Sequence, residues 1–115
     1  MLFEALTSTE AQLKLWAESI ALASKHVSAE AIETIFRHQH HLIFKDKFAV
    51  GEITMTSSDA VASEFWFLLP FSRGAVHLDA RNDDGTYKVN IDPRFLTSDF
   101  DETSFISLFK LTQNL

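Results

Sequence analysis

Val76-His77-Leu78-Asp79-Ala80-Arg81, then Asn82-Asp83-Asp84-Gly85, then Thr86-Tyr87-Lys88-Val89-Asn90-Ile91 is the stretch on which the fold turns. Val76, Leu78 and Ala80 alternate with His77, Asp79 and Arg81, and Tyr87, Val89 and Ile91 alternate with Lys88 and Asn90. A period of two is what strands with one apolar face show. Asn82 to Gly85 holds the residue types that accept turn conformations, so the two runs fold back on each other as an antiparallel hairpin. Asp92-Pro93 ends it, because proline has no N–H to give to a ladder.

Upstream lies Phe65-Trp66-Phe67-Leu68-Leu69, apolar, too short for a helix and rich in strand formers. It predicts a central strand over 61–71, limited by Pro70 and followed by a turn at Arg73-Gly74. Before it, Phe48 and Val50 share one parity and Ile53 and Met55 the other, so a bulge centred on Gly51 is expected, with a turn at Thr56 to Asp59. Further back the period changes to helical. Ser28 caps a helix reaching Phe44, whose stripe is Ile32, Ile35, Phe36, Leu42 and Ile43. An earlier helix runs from Thr9 to Lys25 with Leu13, Ala17 and Ile20 on one face and Thr7 and Glu10 in capping-box spacing. Only Val27 and Ser28 separate the two, which predicts a helical hairpin. Downstream of the β-hairpin, Ser98, Asp99 or Asp101 caps a last helix with Phe105, Leu108, Phe109 and Thr112 inward. The fold expected is α+β: two N-terminal helices, a four-stranded mainly antiparallel sheet and a short C-terminal helix, in a single domain over 1–115.

Composition narrows the function. The longest apolar run, Phe65 to Leu69, is far below the roughly 20 residues of a spanning helix. Met1-Leu2-Phe3-Glu4 lacks a basic region followed by an apolar one, so the chain is expected to be cytoplasmic or already processed. Without cysteine there is no disulfide, thiolate nucleophile or thiolate-held zinc. A net charge of −6 opposes direct binding to nucleic acid. Residues 79–115 carry seven acidic side chains against four basic ones, half of the net charge on a third of the chain. The three glycines form neither a Gly-x-Gly-x-x-Gly nor a P-loop, and there is no Gly-x-Ser-x-Gly elbow, so neither a nucleotide cofactor nor a serine nucleophile is expected.

Candidate sites are therefore sparse. His38, His40 and His41 cannot converge from one helix, since His38 and His40 sit on opposite edges of the face that His41 occupies, so no metal is expected. Gln39 sits amid the apolar stripe, where its amide must find partners. His77, Asp79 and Arg81 on one side of a strand, with Lys88 and Asn90 beside them, are the minimum for acid–base chemistry or else a solvated face. Trp66 has the parity opposite to Phe65 and Phe67, so its face needs a cover or a partner. With Trp66 as anchor, Asp79, Asp83, Asp84, Asp92, Asp99, Asp101 and Glu102 would form an acidic rim.

In size, acidity, lack of cysteine and lack of motifs, the whole chain resembles the small acidic immunity proteins that bacteria carry against toxins, including those of contact-dependent growth inhibition. The resemblance implies a non-enzymatic inhibitor, monomeric or in a heterodimer, that neutralises a basic toxin domain such as a nuclease, its carboxylates pairing with lysine and arginine. The alternative is a small enzyme or ligand-binding domain with a cavity between sheet and helices, using His77 and Asp79. A subunit that pairs its aromatic strand with a second copy is the third reading.

Overall fold

The computed structural model describes residues 2–57 and 61–113. The elements are α1 (Leu2–Ser24), α2 (Ala29–Phe44), β1 (Gly51–Ser57), β2 (Val61–Phe67), β3 (Ala75–Arg81), β4 (Tyr87–Asp92) and α3 (Asp99–Thr112). The α+β order and the antiparallel pairing are those expected. The four strands divide, however, into two two-stranded sheets, β1–β2 and β3–β4. Each pair is closed by its own local connection, so no long-range pairing is needed to form it.

α1 starts well before Thr9, because Leu2 to Leu6 are helix formers and nothing there stops the helix. Thr7 thus lies inside it rather than at a cap. Lys25, at φ 59°, takes the left-handed conformation that ends α1, with its N–H on the Ala21 carbonyl. Ser28 then caps α2 by accepting from the Ala31 N–H at 3.2 Å. The buried apolar residues are Leu13, Ala17 and Ile20 of α1, Ile32, Phe36 and Ile43 of α2, and Phe71 and Phe100. The core therefore sits where the two helices meet the segment after β2, and neither sheet forms it.

β1 pairs with β2 in unbroken register from Gly51↔Phe67 to Ser57↔Val61. Gly51 opens the strand instead of bulging it, and Phe48 and Val50 lie outside. A Cβ on Gly51 would stand 2.6 Å from Leu108 Cδ1 of α3, the movable end of a side chain, and 3.2 Å from the Trp66 carbonyl oxygen. The turn expected at Thr56 to Asp59 falls partly outside the described residues. β2 stops at Phe67, short of Phe71, and is paired on one side only, so it is not a central strand among the described residues. α3 covers the Phe65 face, the Phe65 ring lying 6.0 Å from Phe105 and 6.2 Å from Phe109. Of the possible caps, Ser98 is the one used, its hydroxyl accepting from the Asp101 N–H at 3.2 Å.

Candidate functional site

Side chains from α2 and α3 converge by hydrogen bonds on the five-residue bend Pro70-Phe71-Ser72-Arg73-Gly74 between β2 and β3. Phe71 is fully buried at its centre, with the rings of Trp16, Phe36 and Phe100 5.2–5.3 Å away. A buried bend has lost its ladder partners, so its backbone groups must be satisfied by side chains. Asp101, 1% exposed, does this for two of them, Oδ1 accepting from Phe71 N at 2.9 Å and Oδ2 from Ser72 N at 2.6 Å. Gln39 reaches across from α2 and gives its amide N–H groups to the Leu69 and Pro70 carbonyls at 2.7 and 3.0 Å. Its buried amide is satisfied, as its place on the stripe required. Arg73 completes the clamp, donating to the carbonyls of Pro70 and Ser72 and to Gln39 Oε1, with its guanidinium 5.4 Å over the Phe36 ring. Burial lowers the Arg73 pKa, and the negative charge of Asp101 opposes that shift.

The following turn is held to the same bend. Ser72 Oγ accepts from Thr97 N and Ser98 N at 2.9 and 3.2 Å, and Arg94 donates to Ser19 of α1. Arg94 and Leu96 have φ of 42° and 52°, a conformation side chains resist, and between them Phe95 is 83% exposed. Against the bend lies an open concavity of about 720 Å³, walled by Phe67, Leu69, Phe95, Leu96 and Phe105 with Arg73 and Gln39 as its polar edge. A second concavity of about 360 Å³ lies beside α1 and α2 and includes His26, His77 and Arg73.

The proposed acid–base group does not assemble. β3 pairs Val76↔Ile91, His77↔Asn90 and Leu78↔Val89, but an irregularity between Leu78 and Arg81 brings Arg81 opposite Tyr87. That shift in parity moves Arg81 onto the Val76 and Leu78 face, 5.9 Å from the Tyr87 ring, while His77 faces the other way, 5.5 Å from His26. Asp79 lies outside both concavities. Of the proposed acidic rim, Asp79, Asp83, Asp84 and Asp92 are exposed along the β3–β4 hairpin and Asp99 and Glu102 in the first turn of α3, with Trp66 exposed on β2. Asp101 is not part of any rim, since both its oxygens are spent on the bend. In sequence it reads as one more acid at a helix start, and only the fold shows it turned inward. Among the described residues no group of three His, Asp or Glu is placed to hold a metal, and His40 packs on Phe44, ring to ring at 4.4 Å.

No family model matches the chain. Over 107 residues it is 36% identical to the glucose oxidase-like protein fsoC of Humicola fuscoatra, a match over 91% of this chain and 18% of that protein. Over 91 residues it is 28% identical to Glucose oxidase 1 of Penicillium expansum, over 78% of this chain and 14% of that protein. The chain thus spans less than a fifth of the length of these curated relatives. These similarities overturn the non-enzymatic immunity reading and its bacterial, growth-inhibition setting: the relatives are fungal and are named for an oxidase. An absence of catalytic motifs was weak ground for that reading, because a stretch matching under a fifth of an enzyme can lack the motifs carried by the rest.

Proposed function

We propose that this chain is a structural segment of a glucose oxidase-like oxidoreductase and that the oxidation chemistry is carried by residues beyond these 115. The observation that supports this is the 36% identity running over 91% of the chain. Its own residues agree with a supporting part: the buried side chains of Asp101 and Gln39, together with Arg73, direct their hydrogen bonds to one backbone bend and to each other. A nucleotide cofactor would need a phosphate-cradling loop, and with three scattered glycines that loop belongs to another part of the polypeptide. The acidic residues of the β3–β4 hairpin are then a solvated edge.

The test replaces the matching 91 residues of Penicillium Glucose oxidase 1 by this chain's and follows glucose-dependent oxygen uptake. Uptake by the graft, none by the isolated 115 residues and none by the enzyme with the segment deleted is the expected pattern. A soluble graft that consumes no oxygen beside an active parent would count against the reading.

A further inference from the structure

Val76, Leu78, Val89 and Ile91 lie on one face of the β3–β4 hairpin as two direct cross-strand pairs, and all four are 52–69% exposed. Tyr87, 55% exposed, continues the same face. Among the described residues neither strand packs closely on a helix or on the other sheet. A two-stranded sheet is marginal by itself in water, and a soluble domain seldom leaves adjoining β-branched and leucine side chains uncovered. The outer edges of both strands are also unpaired among the described residues, an arrangement that folded proteins normally cover.

We propose that this face is the seam on which the rest of a glucose oxidase-like polypeptide packs; the inference rests on the function proposed above. More than four-fifths of the Humicola protein lies outside its match to this chain, so such a polypeptide has chain enough beyond the match to cover the face. Arg81 is the one charged side chain among the paired residues of the face, and it lies at the hairpin's turn end with its Nε bonded to the Gly85 carbonyl at 3.2 Å. Such a face suits an apolar strand or helix surface and offers nothing to a nucleic acid or a charged ligand. The opposite face, with His77 and Ala75, turns toward α1 and α2, and Val76 at the start of β3 also borders that cleft while remaining 68% exposed.

The experiment grafts this chain into the Humicola protein in place of its matching 107 residues and compares it with the free chain. Hydrogen exchange is read at the backbone amides of 75–92, and each form is also made as the double substitution Val76→Lys, Val89→Glu. Opposite charges at these diagonal positions do not repel within the hairpin itself. Exchange in the graft should be slower by at least roughly tenfold, the equivalent of about 1.4 kcal/mol of added protection. The double substitution should lower the graft's melting temperature while leaving the free chain unchanged. Equal exchange in graft and free chain, or a graft indifferent to the substitution, overturns the seam and leaves the proposed function standing. An insoluble graft beside a soluble parent overturns both. If the free chain forms dimers that the double substitution abolishes, the occupant is a second copy and the proposal falls.

Discussion

Asp101 is one of three acids in the first turn of α3, and it alone is withdrawn from water. Its two charge-assisted bonds fix the bend around Phe71, and each such bond contributes about 1.5–3 kcal/mol. Asp101→Asn keeps one acceptor and should cost about 2 kcal/mol; Asp101→Ala orphans two amides and should cost about 3 kcal/mol or more. Urea denaturation of the variants measures both, and an Asp101→Ala chain as stable as the parent would refute the role. His40 is the opposite case, since its half-buried ring leaves Nε2 without a hydrogen-bond partner. Burial lowers its pKa, with Glu10 opposing and Lys45, Arg37 and His41 adding to the shift. A folded-state pKa below the unfolded value of about 6.5 means stability that is full above that pH and declines as pH falls through the folded value. His40→Phe keeps the stacking on Phe44 and removes the nitrogen, so it should be about 1 kcal/mol more stable near neutrality. Its advantage should widen between pH 7 and pH 5, as unfolding midpoints at the two values would show; an advantage constant across that range would exclude the titration.

At the scale of elements, the order helix, helix, four strands, helix was legible because it rests on local periodicity and caps, Ser28 and Ser98 among them. What was not legible is non-local. Pairing of β2 with β3 is decided by where the bend between them goes, and the bend is held by Gln39 and Asp101, about 30 residues away on either side. The alternation of His77, Asp79 and Arg81 was real in sequence, yet one irregularity in β3 divided them between faces. Of the candidate site, only the burial and satisfaction of Gln39 could be read beforehand, from its place on an apolar stripe. The joint between the bend and β3 supplies the element-scale prediction. A Cβ on Gly74 would stand 2.6 Å from the Asp92 carbonyl oxygen and 2.7 Å from that of Pro93, both backbone atoms with no rotamer to give way. Gly74→Ala should therefore destabilise by about 2 kcal/mol, from overpacking, and loosen the start of β3 in hydrogen exchange. Gly51→Ala should cost less, because its nearest contact is the movable end of Leu108. The reverse ranking in thermal melts would contradict this account.

The whole molecule is more extended than its length requires. Its radius of gyration is 17.6 Å, where a compact chain of about this size has about 13 Å. Its accessible surface is 8432 Å², against about 6,300 Å² expected for a compact monomer of its mass. Among the described residues eight apolar ones are buried, while nineteen large ones are exposed. On the function proposed above, this apolar surface is covered by other structure, and its exposure in the free chain has a thermodynamic signature. The urea dependence of unfolding scales with the surface newly exposed. On the areas above, this chain exposes about one-sixth less surface on unfolding than a compact domain of its length, and its m-value should fall short by the same fraction. Grafted into a glucose oxidase-like polypeptide, the same residues should unfold with a steeper dependence, because the covered surface is then released as well. A free chain whose m-value already matches a compact domain would mean that these faces close on one another in solution and that no further structure is needed to cover them.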